Sequence, residues 1–186
     1  MRIIAGDKRG MKLFSPKTDL SRPITDRVKE SLFNVLRKYD LPADKVVADL
    51  FSGVGSLGLE SLSRGAKFVT FIEKDPKIAE ILKRNIEKAV FIDCSKIIKA
   101  DAFKIGATVD KQNYDLVFVD PPYAMTMQTG KGSSLYKLLD MLSYQVVKDG
   151  FVVVRTQENI QLLQQYNRFT AIERRRWGTM AVTILK

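Results

Sequence analysis

A doubly wound α/β fold with a mostly parallel sheet is the architecture that this 186-residue chain predicts. Three observations carry it. Short apolar runs alternate with longer segments whose apolar residues recur at spacings of three and four, a succession of strand and helix. The first run leads directly into a glycine-rich turn, Ser52-Gly53-Val54-Gly55-Ser56-Leu57-Gly58. A later run, Leu116-Val117-Phe118-Val119, is apolar at every position, as a parallel strand covered on both faces must be, and it ends in Asp120-Pro121-Pro122-Tyr123.

The elements follow in order. Residues 2–4 and 11–14 read as short strands about the turn Gly6-Asp7-Lys8-Arg9-Gly10. Thr25 or Asp26 can cap a helix with the apolar stripe Val28, Leu32, Val35 and Leu36, which Leu41-Pro42 ends. Strand 45–51 precedes a helix near 56–64, and strand 68–73 precedes a helix near 76–89. Strand 95–100 leads to a short helical turn after Asp101, then strand 114–119, a helix near 133–142 and strand 151–154. A short helix near 159–165 and two strands, 169–174 and 180–185, complete the chain. The last two are joined through Arg175-Arg176-Trp177-Gly178-Thr179 and read as a hairpin that adds an antiparallel strand to a sheet of seven. Residues 1–40 form an N-terminal hairpin and helix extension, and 41–186 the main domain. Residues 124–134, with two methionines and two glycines, are the candidate mobile segment.

Composition narrows the function classes. An apolar content of 45% is ordinary for a globular protein, and no run reaches the roughly 18 apolar residues that would cross a membrane. Cys94 is the single cysteine, so no intramolecular disulfide forms, and a reducing cytoplasm is the simplest home. Histidine is absent, which removes the commonest metal ligand and general base and makes metal or triad chemistry improbable. The formal net charge is +10, and the first 40 residues hold ten Lys/Arg against five Asp/Glu. Such a balance suggests a polyanion, most simply RNA or DNA.

The glycine turn matches a dinucleotide fingerprint over Gly53–Gly58, and Glu73, at the end of the next strand, could hold a ribose. Asp49 argues against NAD, because its charge at the first strand's end would repel a pyrophosphate. S-adenosylmethionine carries an ammonium and a sulfonium, which favour nearby carboxylates, so the loop reads as a site for that cofactor. At the other strand end, proline fixes φ and removes an N–H, ending the ladder and holding the carbonyls in one direction. Asp120 and the Pro121 carbonyl can accept the two hydrogens of an exocyclic amine while Tyr123 stacks on its ring, although the same residues could make a simple turn.

These motifs together resemble the class I methyltransferases that modify exocyclic amines. Arg2-Ile3-Ile4-Ala5-Gly6, Arg9-Gly10, the stretch from Arg22-Pro23-Ile24-Thr25 to Glu30, and Leu57-Gly58-Leu59-Glu60-Ser61-Leu62-Ser63-Arg64-Gly65 are similar to the RsmD family. That family consists of bacterial 16S ribosomal RNA guanine-N2 methyltransferases, and the likeness spans nearly the whole chain. Ile24 stands where the family usually has Thr, and Trp177-Gly178 where Tyr-Gly is expected. The resemblance implies a Rossmann-like sheet and S-adenosylmethionine held by Asp49, Ser52, Gly53, Gly55, Gly58, Glu73, Asp101 and Ala102. It implies transfer at Asp120, Pro121, Pro122 and Tyr123, no metal, and 16S RNA as partner, within a small-subunit or assembly particle. Arg9, Arg22 and Arg27 are the candidate RNA contacts, and a monomer is expected. Asp101 reads almost equally well as an N-cap, and Trp177 as a base platform or a filler of the sheet edge. Adenine-N6 or cytosine-N4 transfer, and a non-catalytic RNA-binding assembly factor, remain as alternatives.

Overall fold

The computed structural model describes residues 1–16, 24–107 and 113–186. Among these residues eight strands form one sheet in the order β3-β2-β1-β4-β5-β8-β7-β6. They are β1 (Val46–Leu50), β2 (Phe68–Ile72), β3 (Ser95–Ile98), β4 (Tyr114–Val119), β5 (Val146–Gln157), β6 (Gln165–Tyr166), β7 (Phe169–Trp177) and β8 (Met180–Leu185). The first five pair in parallel, and β8, β7 and β6 are added antiparallel. The strand order reverses between β1 and β4, the switch point at whose carboxyl edge open α/β sheets bind ligands.

Side chains alternate across the sheet, and both faces are covered. Val47, Leu116, Phe118 and Val153 join one apolar cluster with α1 (Asp26–Leu36), α2 (Ser56–Ser63) and α3 (Pro76–Ala89). Ala48, Leu50, Val117 and Val119 join the other, with α4 (Ala102–Ile105) and α5 (Ser134–Leu142). No helix among the described residues is long and apolar enough to span a membrane.

The N-terminal segment shares the first cluster. Its hairpin is held by Ile3 N–H to Met11 O at 3.0 Å and Gly10 N–H to Ile3 O at 2.9 Å, with a single bridge between Arg2 and Lys12. Thr25 caps α1 by accepting from Val28 N–H, and the helix buries Val28, Leu32, Phe33, Val35 and Leu36. Lys29 is buried as well. Its Nζ lies 3.2 Å from Glu60 of α2, both side chains have no exposure, and it donates to Arg2 O at 2.7 Å. Glu60 also accepts from Ile4 N–H, Ala5 N–H and Arg64 Nε. This network joins hairpin, α1 and α2 through one buried carboxylate.

Two expectations need correction. The helix near 159–165 does not form. Ile160, Leu162 and Leu163 have helical spacing, but long-range bonds override it. Tyr166 is fully buried, accepts from Leu163 N–H and donates to Thr129 O, while Gln165–Tyr166 makes the eighth strand against β7. Strand β5 starts at Val146 rather than at 151, because Lys148-Asp149-Gly150 is carried through an irregularity opposite Tyr114 and Leu116. Gly150 passes so near that an added Cβ would stand 3.0 Å from the carbonyl oxygens of Tyr114 and Asp115. Within segment 124–134, Thr126 is buried and donates to Tyr123 O, and the Thr129 carbonyl accepts from the Tyr166 hydroxyl.

Candidate active site

Asp49 lies one residue before the end of β1 at 2% exposure, and its Oδ2 accepts from Gly58 N–H at 2.8 Å. Burial pushes its carboxyl well above the usual carboxylate range; the Gly58 N–H opposes that shift, and the nearby Asp120 and Glu73 reinforce it. The chain then turns sharply, with Phe51 at φ 58° and Gly53 and Gly55 at φ 54° and 89°. Phe51 packs against Phe103 with the rings tilted and their centroids 4.9 Å apart. Ser52 is buried, and its N–H donates to Ile72 O.

The three glycines differ in what they face. An added Cβ on Gly55 would stand 2.5 Å from Leu82 Cδ1, and one on Gly58 would stand 2.2 Å from Phe71 Cε1. Both positions are small so that α2 can pack against α3 and β2. Only at Gly53 would a Cβ meet nothing within 4 Å, so here the loop leaves an open cradle. Glu73 braces that cradle, with Oε2 accepting from Gly53 N–H at 2.9 Å and Oε1 from Asp75 N–H at 2.8 Å. Asp101 acts as the N-cap of α4, accepting from Phe103 N–H, with Ala102 buried behind it. Two carboxylates and an open glycine backbone fit a ligand that carries cationic groups and a ribose.

The second half of the site lies across the switch point. Val119 pairs with Leu50 on one side and Val154 on the other, so the next residue, Asp120, emerges between the loop after β1 and Arg155 of β5. Arg155 Nε stands 2.5 Å from Asp120 Oδ1, with the two side chains 14% and 18% exposed. The two charges are paired directly, and among the described residues Asp120 Oδ1 and Arg155 Nε and Nη1 have no other hydrogen-bond partner. Burial raises the Asp120 carboxyl above its ordinary range, while the Arg155 guanidinium pulls it back. Arg155 also lies over the Tyr123 ring, 5.8 Å from its centroid. Pro121 is buried, Pro122 is exposed, and Tyr123 begins a single 3-10 turn.

Two of the three expected RNA contacts lie among the described residues. Arg9 is exposed on the hairpin turn, whose backbone is pinned to α2 through Asp7 N–H to Ser63 O and Lys8 N–H to Ser63 Oγ. Arg27 is exposed on α1. Arg22 lies outside the described residues. Sequence reasoning missed Arg155 altogether. The available signal was a lone cation ending the apolar run Phe151-Val152-Val153-Val154.

A glycine loop and an Asp-Pro-Pro-Tyr turn on either side of the switch point, in a sheet closed by an antiparallel hairpin, define the class I methyltransferase fold. Within that class the chain belongs to the RsmD family, and the family described as conserved hypothetical protein 95 matches residues 1–186. It is 31% identical over 189 residues to the "putative rRNA methyltransferase YlbH" of Bacillus subtilis, covering 100% of this chain and 98% of that one. It is 41% identical over 128 residues to ribosomal RNA small subunit methyltransferase D of Haemophilus influenzae, covering 66% of this chain and 64% of the relative. Among solved structures, the "putative methyltransferase yhhF" from Escherichia coli superposes with a TM-score of 0.81 at 27% identity, covering 100% and 96% of the two chains.

Proposed function

We propose that this protein transfers a methyl group from S-adenosylmethionine to the exocyclic N2 of a guanine in 16S ribosomal RNA, acting as a monomer on a small-subunit or assembly particle. The observation that carries the reading is Asp120. It is a sheltered carboxylate paired with Arg155, close to Asp49, and it follows the strand that runs beside β1 at the switch point. Relatives named as ribosomal RNA methyltransferases support RNA as the substrate.

The bound cofactor supplies a methyl group already activated on a sulfonium. Asp49 would face its methionine portion, Glu73 its ribose, and Asp101 with Ala102 its adenine. The protein's remaining task is to position a weak nucleophile. Asp120 and the Pro121 carbonyl accept the two N–H groups of the guanine amine, turning its lone pair toward the methyl and offsetting the positive charge that develops. Tyr123 stacks on the base, which must leave its own stack to reach the pocket. The excess proton can leave after transfer, so no histidine is required.

Incubation with labelled S-adenosylmethionine, 16S RNA and small-subunit particles, followed by nucleoside mapping, tests the reading. Labelled N2-methylguanosine is the expected product. Label on adenine N6 or cytosine N4, or no transfer to either substrate, refutes it.

A further inference from the structure

Two cavities flank the turn between β7 and β8. One, of about 350 Å³, is lined by Tyr123, Gln157, Glu158, Asn159, Gly178 and Thr179, and so opens onto the transfer site. The other, of about 360 Å³, lies between α1 and β7, where Ser31, Asn34 and Lys38 face Arg175, Arg176 and Trp177. Nothing in the mechanism above uses the second. Its walls follow from periodicity. Ser31, Asn34 and Lys38 recur at helical spacing, and Arg175 and Trp177 share one face of the strand.

The sheet register ties this groove to the site. Arg155 and Arg175 both pair with Val182, from opposite sides. Arg175 therefore stands two strand spacings, about 10 Å, from the residue that holds Asp120. Arg175 Nη2 pairs with Glu173 at 2.6 Å, Arg176 with Glu158 at 2.9 Å, and Lys38 stands 3.9 Å from Glu173. Three cations, Lys38, Arg175 and Arg176, meet two carboxylates, Glu173 and Glu158, which leaves a net charge of one positive. Glu173 is further engaged by the Tyr39 hydroxyl at 2.8 Å.

We infer that this groove binds the single-stranded RNA next to the target nucleotide, with Trp177 stacking one base and Lys38, Arg175 and Arg176 meeting its phosphates. The inference rests on RNA being the substrate and adds where the flanking strand runs. Cations beside a half-buried indole, one part of which packs on the apolar cluster while the rest lines the groove, suit a phosphate next to an unpaired base, and Ser31 and Asn34 supply hydrogen bonds to sugar or base edge. The strand would cross the Trp177–Thr179 turn from the groove to Tyr123.

The test is binding of 16S RNA transcribed in vitro, measured without cofactor at several salt concentrations. Lys38 and Arg176 are 58% and 64% exposed, so Lys38→Ala/Arg176→Ala should leave packing intact. Loss of two phosphate contacts should flatten the slope of log affinity against log salt by about 1.4. Trp177→Ala should bind about tenfold more weakly, and Trp177→Phe should restore most of that loss. Calorimetric affinity for S-adenosylmethionine should match wild type in each variant, and the melting temperature should match it in the Lys38→Ala/Arg176→Ala and Trp177→Phe variants, since the indole is partly packed on the core. Unchanged RNA affinity and slope would overturn the inference, as would an affinity loss that merely tracks a fall in melting temperature. If wild type methylates 16S RNA while the variants bind it normally, the groove is refuted and the reaction stands. If RNA occupies the groove but no methyl is transferred, the reaction alone is refuted.

Discussion

Replacing Arg155 with Met should separate the positioning of Asp120 from the binding of cofactor. The ion pair is short, at 2.5 Å between Nε and Oδ1, and more than four fifths of each side chain is sheltered. Charge centres about 4 Å apart at an effective dielectric of 20 attract by about 4 kcal/mol, an upper figure because each group loses hydration. A net loss of about 2–4 kcal/mol at the carboxylate corresponds to a fall in kcat of roughly 30- to 1000-fold near neutral pH. The sign of the pH effect follows from the same pair. Burial raises the Asp120 carboxyl, the guanidinium opposes this, and Asp49 is close enough to disfavour a second charge. Removing Arg155 therefore lets Asp120 stay protonated to higher pH, and a protonated carboxyl gives up an acceptor and its charge. The acidic limb of the kcat profile should move upward, with partial recovery in alkaline buffer. Cofactor affinity by calorimetry should change little, and Arg155→Lys should fall between, keeping the charge but losing the planar contact with Tyr123. A variant with wild-type kcat and an unmoved acidic limb would show that Arg155 is only structural filling.

Other outcomes can be checked independently. Lys29→Met strands the buried Glu60, and the remaining donors Ile4, Ala5 and Arg64 soften the penalty to about 3 kcal/mol. For a chain of this length that is a fall of about 6–12 °C in Tm by calorimetry, part of which Lys29→Met/Glu60→Gln should regain. Asp49 is held protonation-prone by burial, so its contribution to stability is present below the ordinary carboxylate range and is lost as pH rises through its raised folded value. Asp49→Asn should accordingly gain stability over wild type as pH increases, while S-adenosylmethionine binds roughly 10- to 100-fold more weakly for want of a charged partner. A stability difference that shrinks with rising pH would contradict this. Asp120→Ala should abolish transfer with cofactor affinity nearly unchanged, and near-normal turnover would remove it from the mechanism.

What could be read from the sequence was what depends on local pattern. Strand β4 was legible because every position from Leu116 to Val119 is buried, and α1 because its apolar stripe begins just after a threonine cap. The glycine loop was legible as a loop, but not the division of labour within it, since that depends on Leu82 and Phe71 lying behind Gly55 and Gly58. Asp101 could not be resolved between capping and ligand binding by its neighbours alone, and the cap is present. Arg155 was hidden because its importance comes from register: β4 and β5 are adjacent only through a crossover, and the sequence does not print which residue of β5 will flank Asp120. Lys29 was hidden for a related reason. A lysine on an amphipathic helix ordinarily points to water, and only the distant Glu60 makes its burial tolerable. The two-residue β6 had no pattern of its own to detect.

The Lys29–Glu60 contact also bears on how the protein comes apart. Each partner would be an uncompensated charge in an apolar cluster if the other withdrew, so half-detached forms carry a penalty that fully docked and fully released forms avoid. Hairpin, α1 and α2 are thereby bound into one cooperative unit, although Ile4 and Glu60 are 56 residues apart in the chain. In hydrogen exchange their slowest amides should share a single opening event rather than a graded series. During synthesis the consequence is one of timing: the N-terminal hairpin cannot settle until α2 has left the ribosome, and the Gly53 loop, attached directly ahead of α2, is drawn into place by the same closure.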